Sequence, residues 1–273
     1  MSLHNMEYIS LLKEAAQEAG DRIQTIQKTD FEVLKKEDES PVTYADVEAD
    51  EIIQEYLETT NIPILSEETE DDPERLESDE VWIIDPIDGT KEFVKKEDDF
   101  TVNIALIRDE KPVLGVVYAP NHGKMYTAKK DKAWLNGERI TCSTKNELKD
   151  MIFLASNSHH EKPVKDFLNR NDVKEVMRRG SSLKGCLMAE GKADMYLRLT
   201  PQSEWDIAAM HAIINGSGGS LEGVGEEIRY NKRRPRVKNY ICAGNKKIID
   251  MCQEYYERYR EDIEQYMAKR ERF

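Results

Sequence analysis

The amino-acid sequence predicts a mixed fold, α+β in its first half and α/β in its second. Three observations point that way. Apolar residues near the N-terminus recur at helical spacing, short apolar runs joined by tight turns follow, and beyond about residue 150 strand-like runs alternate with helical stretches.

Met6, Ile9, Leu12, Ala16, Ala19, Ile23 and Ile26 predict an amphipathic first helix, which the charged run KKEDESP (35–41) ends. Thr43, with Asp46 three residues later, forms a capping-box pattern and predicts a second helix bearing Val47, Ile53, Tyr56 and Leu57 on its apolar face. IPIL (62–65) and VWII (81–84) read as strands separated by an acidic segment, EETEDDPERLESDE, which reads as a mobile, solvated loop. FTVNIALI, PVLGVVYA, KMYTA, AWL and ERI continue the series, with Asn136-Gly137 as a hairpin turn, and predict a largely antiparallel sheet. IFLAS, VKEVM and ADMYLRL then alternate with helical stretches near 161–169, 182–191 and 205–215. The change of rhythm predicts two domains, residues 1–150 and 151–273, the second ending in one long charged helix over 248–273.

Bulk properties narrow the function. The net charge of −14 argues against a nucleic-acid polymer as partner, because its backbone is gripped by lysine and arginine. A small anionic ligand is compatible with that charge, since bound divalent cations reverse the local field. No apolar run approaches the roughly 20 residues that span a bilayer, and the opening MSLHNMEYIS lacks the basic-then-apolar pattern of a secretory leader. Cys142, Cys186, Cys242 and Cys252 are scattered, without a CxxC pair, and read as reduced thiols of a cytoplasmic protein.

Three acidic features stand at element boundaries: Glu67-Glu68 after IPIL, Asp85 and Asp88 after VWII, and Asp206 where a helix begins. Hard divalent cations take several oxygen ligands, and Mg²⁺ commonly shares carboxylates with a substrate phosphate. Pro86 restricts the turn, and Gly89-Thr90 can offer backbone N–H groups to that phosphate. Singly, each feature also fits an acidic turn, a solvated loop or a helix cap. His159, His160 and His211 have no partner at ligand spacing and read as structural.

Together LSEE, WIIDPIDGT and EWDIAA resemble the magnesium-dependent, lithium-sensitive phosphomonoesterases of the inositol monophosphatase superfamily. SPVTYAD (40–46), DGTKEF (88–93), FTVNIALI (100–107), LGVVYAP (114–120) and GSSLK (180–184) narrow the resemblance to its 3′(2′),5′-bisphosphate nucleotidases of the CysQ type. It runs from about residue 6 to residue 245. Two departures stand out: Met210 replaces a glycine that often follows WDxAA, and the C-terminal helix extends beyond the usual end.

The resemblance implies a layered α-β-α-β-α sugar-phosphatase fold. It further implies two Mg²⁺ ions, with room for a third, looser one. Glu67, Asp85 and the Ile87 carbonyl would hold the first ion, and Asp85, Asp88 and Asp206 the second. Thr90, bonded to Asp46, would orient the attacking water with Glu67, and the Gly89 and Thr90 N–H groups would receive the scissile phosphate. Ser181, Ser182 and Lys184 would hold the non-reacting phosphate or the ribose, with Asp206 also beside the substrate. Glu204 fits a sugar contact or a helix-start carboxylate equally well, and Lys91 a structural or electrostatic role. The implied reaction converts adenosine 3′,5′-bisphosphate to AMP and phosphate in sulfur assimilation. Inositol phosphates or fructose 1,6-bisphosphate are the alternative substrates, and a non-catalytic nucleotide sensor is a more distant reading. The setting implied is cytoplasmic, with a loose association with the inner membrane left open, and the C-terminal extension is compatible with a homodimer.

Overall fold

A computed structural model describes residues 4–35, 41–156 and 161–270. Helices α1 (His4–Gln27) and α2 (Tyr44–Glu58) flank a short antiparallel pair, β1 (Val33–Lys35) and β2 (Pro41–Thr43), that the apolar pattern did not predict. The expected capping box opens α2: the Thr43 N–H and hydroxyl both donate to Asp46 Oδ2 at 2.7 Å. Then come β3 (Ile64–Ser66), β4 (Glu80–Asp88), α3 (Thr90–Val94), β5 (Thr101–Arg108), β6 (Lys111–Ala119), β7 (Lys124–Lys129), β8 (Lys132–Leu135) and β9 (Glu138–Ile140). These seven strands form one sheet in chain order, antiparallel except for β3 beside β4. Val81 and Ile83 face one core while Trp82 and Ile84 face another, so both sides of β4 are buried. That explains why VWII is continuously apolar and not alternating.

The second half supplies β10 (Ile152–Ser156), α4 (Lys162–Arg170), β11 (Glu175–Arg179), α5 (Leu183–Ala189), β12 (Met195–Arg198), β13 (Gln202–Ser203) and α6 (Glu204–Gly216). It closes with β14 (Ser220–Gly223), β15 (Arg236–Val237), β16 (Tyr240–Ala243), α7 (Lys246–Arg258) and α8 (Arg260–Arg270). A five-stranded mixed sheet has the order β11-β10-β12-β16-β14, and β13 pairs with β15 separately. Strands β14 to β16 were not predicted.

Three cores stack the elements into five layers. One joins α1 and α2 to the first sheet, the next fills the space around α5 and α6 between the sheets, and the third joins the second sheet to α4, α7 and α8. This is the α-β-α-β-α layering that the sequence resemblance implied. Among the described residues no helix is long and apolar enough to cross a membrane.

Two expectations are corrected. The single C-terminal helix is two, because Tyr259 leaves the helical region at φ −118°, ψ 21°. The break turns Ile263 and Met267 onto the core that holds Cys252 and Tyr256. The acidic segment after Glu68 is corrected only in part, being mostly exposed as expected but anchored at one residue. It holds a 3₁₀ turn, Pro73–Glu77, whose Arg75 is 1% exposed. Arg75 donates to Asp71 at 2.5 and 2.8 Å, to Asn231 Oδ1 at 2.6 Å and to the Lys232 carbonyl at 3.0 Å. His211 is buried in α6 and shares a 2.9 Å hydrogen bond with the Tyr230 hydroxyl, as a structural histidine would, whereas His159 and His160 lie outside the described residues.

Candidate active site

Strand β4 does not stop at VWII but runs through Asp85-Pro86-Ile87-Asp88, with its pairing to β5 shifted between Asp85 and Asp88. The irregularity re-aims the strand end. Asp85 stands directly opposite Asn103, so both side chains share a face. Gly89 then turns the chain at φ 96° into α3, and a Cβ there would lie 3.0 Å from the Asp99 carbonyl. Both conformation and space require glycine at this corner.

Carboxylate oxygens of Glu67, Asp85 and Asp206 lie within 4.8 Å of one another. They come from the end of β3, the end of β4 and the first turn of α6, which is why residues so distant in sequence converge. Helix α6 begins at Glu204, one residue before the expected stretch, with Ser203 as its N-cap, and Ser203 N–H donates to Asp206 Oδ2 at 2.9 Å. Asp85 is 1% exposed, and both of its oxygens lack a hydrogen-bond partner among the described residues. Burial, followed by the charges of Glu67, Asp88 and Asp206, pushes its pKa far above the usual carboxylate range. Asp206 is pushed up to about 8 by burial, then by Asp88 and Glu67. Buried, mutually repelling carboxylates with orphaned oxygens fit a divalent cation, which would supply the missing charge and accept the unused lone pairs.

Asp88 stands outside that trio. Its Oδ2 accepts the Ser182 N–H at 2.6 Å, the Ser182 hydroxyl at 2.7 Å and Asn103 Nδ2 at 3.3 Å. Ser182 also reaches the Asp206 carbonyl at 2.7 Å. Ser182, which also lines the cavity, thus bridges two of the acidic residues. The Thr90 hydroxyl lies 3.2 Å from Asp46 Oδ1 and 3.0 Å from the Ile87 carbonyl.

A cavity of about 360 Å³ joins these groups to Gly89, Thr90, Lys91, Ser181 and Lys184. Lys184 is 7% exposed, donates to the Ser181 carbonyl at 2.6 Å and lies over the Tyr196 ring, so it is no solvated surface lysine. Ser181 holds the strained φ of 45° that opens the way to α5. Glu204 is fully buried and accepts the Asn231 N–H at 2.8 Å, which favours the structural reading over a sugar contact.

Arg198 and Asn103 are among the residues in and beside the cavity that escaped the sequence reading. Arg198 lines the cavity, 6% exposed, with its guanidinium 3.2 Å from Glu161. Asn103, 1% exposed, braces Asp88 and Ser182. Arg198 is the lone charged residue of MYLRL, and Asn103, with Thr101, interrupts the apolar run FTVNIALI; that was the available signal.

Known proteins resemble this chain in sequence and in fold. Residues 4–266 match the Inositol monophosphatase family. The protein named 3′(2′),5′-bisphosphate nucleotidase CysQ from Salmonella typhimurium is 40% identical over 234 residues, covering 81% of this chain and 92% of that protein. The crystal structure of CysQ from Bacteroides thetaiotaomicron aligns with a TM-score of 0.79 at 33% identity, over 89% of this chain and 99% of that one. The Thermotoga maritima IMPase TM1415 aligns with a TM-score of 0.79 at 25% identity, over 95% and 99%. On sequence, layering and site together, the chain belongs to the inositol monophosphatase family.

Proposed function

We propose that this protein is a Mg²⁺-dependent phosphomonoesterase that converts adenosine 3′,5′-bisphosphate to AMP and inorganic phosphate. The observation that carries this reading is the orphaned, buried Asp85 carboxylate within the Glu67–Asp85–Asp206 group, in a cavity that also holds buried Lys184 and Arg198. One region offers oxygen ligands and the other offers cations. A substrate with one reacting and one non-reacting phosphate fits both. The relatives named as bisphosphate nucleotidases support a nucleotide over an inositol phosphate or fructose 1,6-bisphosphate.

Glu67, Asp85, the Ile87 carbonyl, Asp88 and Asp206 would hold the metal, as two ions with room for a third. When bound, Mg²⁺ withdraws charge from the phosphoryl oxygens and makes water a better nucleophile. The chain's own groups do the positioning. Glu67 and the Thr90 hydroxyl orient the attacking water, and Asp46, hydrogen-bonded to Thr90 Oγ, draws the proton towards the carboxylate. Backbone N–H groups of Gly89 and Thr90 receive the scissile phosphate. Water oxygen bonds to phosphorus as the P–O3′ bond breaks, and the 3′-oxygen leaves with a proton from water, without a covalent enzyme intermediate. Lys184, Arg198 and the Ser181 hydroxyl hold the 5′-phosphate.

The same reading carries inhibition by Li⁺, a role in sulfur assimilation and a homodimer. The four free cysteines support a reducing, cytoplasmic setting. Phosphate release from adenosine 3′,5′-bisphosphate, inositol 1-phosphate and fructose 1,6-bisphosphate, compared as kcat/KM, tests the substrate assignment. The bisphosphate nucleotide is expected to lead, and negligible activity on it overturns the proposal.

A further inference from the structure

Lys232, Arg233, Arg234 and Arg236 crowd one short turn of a chain whose net charge is −14. Two buried ionisable side chains hold that turn from below. Glu204, 0% exposed, accepts the N–H groups of Asn231 at 2.8 Å and Lys232 at 3.4 Å, and its own N–H donates to the Pro235 carbonyl at 2.9 Å. Arg75 donates to the Asn231 side chain and the Lys232 carbonyl, and Asn231 Nδ2 returns a bond to the Arg75 carbonyl at 3.2 Å. Burying charge is costly unless every partner is in place. Here that cost is incurred to fix the backbone of a turn, which marks the turn as a built element.

What the turn presents is Arg236. It pairs with Ser203 across β13 and β15, so the two side chains leave the same face, and both line the cavity. Arg233, Arg234 and Arg236 are exposed and make no ion pair among the described residues, whereas Lys232 pairs with Glu204 and Lys238 with Glu226. The cavity's cations therefore differ in depth. Lys184 and Arg198 are buried, whereas Lys91, beside the Asp88-Gly89-Thr90 turn, and Arg236 are exposed. Arg236 thus adds an exposed, unpaired cation to the lining that the buried pair shares.

We propose that Arg236 is a specificity-determining residue that reads charge added to the non-reacting 5′ end of the substrate. A nucleoside 3′-phosphate 5′-diphosphate gains, through Arg236, an interaction that a 3′,5′-bisphosphate makes weakly and a 3′-monophosphate lacks. This rests on the nucleotidase reading.

The test compares kcat/KM of the wild type and Arg236→Gln with Mg²⁺ on adenosine 3′-phosphate, adenosine 3′,5′-bisphosphate and adenosine 3′-phosphate 5′-diphosphate. The variant is expected to lose about tenfold more on the 5′-diphosphate than on the monophosphate, the scale of a charge-assisted hydrogen bond. The loss should fall mainly on KM, and Arg236→Lys should recover part of it. Calorimetry with ADP and AMP, which are not turned over at a 3′-phosphate, should show the variant losing the wild type's preference for ADP. Equal losses on all three substrates, or an unchanged ratio, overturn the role of Arg236 and leave the nucleotidase reading standing. A wild type that hydrolyses none of the three overturns both.

Discussion

Ser182 donates both its backbone N–H, at 2.6 Å, and its hydroxyl, at 2.7 Å, to the same oxygen of Asp88. The second serine of the GSSLK segment thus reaches across the two halves of the chain to aim a carboxylate at the end of β4. Ser182→Ala keeps the N–H bond and removes the hydroxyl. The expected outcome is a ten- to hundredfold weaker Mg²⁺ dependence of activity, about the usual effect of losing an outer hydrogen bond to a metal ligand. A Mg²⁺ titration of initial rates checks it, and an unchanged half-saturation point contradicts it.

Asp85→Asn separates stability from function. The buried carboxylate is repelled by Glu67, Asp88 and Asp206, so its neutral replacement should melt higher than the wild type in chelator. The same variant should lose the thermal shift produced by Mg²⁺. Its turnover should fall by about a thousandfold or more, because metal charge stabilisation is worth several kcal/mol. Thermal melts with and without Mg²⁺ read both effects.

His211 gives a pH signature. Burial lowers its pKa from 6.5 to about 4. The unfolded chain therefore takes up a proton between these values that the folded chain refuses. The stabilising contribution is complete above about pH 6.5 and is lost as pH falls towards 4, by up to about 3 kcal/mol. Denaturant unfolding of the wild type and His211→Gln across that window isolates the effect. The difference between the two should shrink as pH falls, and a constant difference contradicts the assignment.

Met210 packs against Gly185 of α5. A Cβ at 185 would lie 2.7 Å from Met210 Sδ and 3.0 Å from its Cβ. Gly185→Ala should cost about 1–3 kcal/mol through overpacking, and Met210→Ala in the same chain should recover much of it. A double-mutant cycle by denaturant unfolding measures the coupling. Simple additivity contradicts the contact.

The sequence revealed the acidic site better than its support. Glu67, Asp85 and Asp206 were legible because each ends or begins an element, where polar residues interrupt apolar runs. The roles of Ser182 and Asn103 were not, because their partner Asp88 is distant along the chain and only the strand pairing and the layering bring it near. Arg75 hid inside a run of acids that reads as solvated surface. The break at Tyr259 has no proline or glycine to announce it and follows from where Ile263 and Met267 find a core. Short strands such as SLEG and YICA carry too few residues for a period to show.

The most direct test of the central claim is ³¹P NMR of adenosine 3′,5′-bisphosphate incubated with the protein, with Mg²⁺ and with chelator. The account predicts inorganic phosphate and adenosine 5′-monophosphate, formed only when the divalent cation is present. Loss of the 5′-phosphate, release that persists in chelator, or no release at all would contradict it.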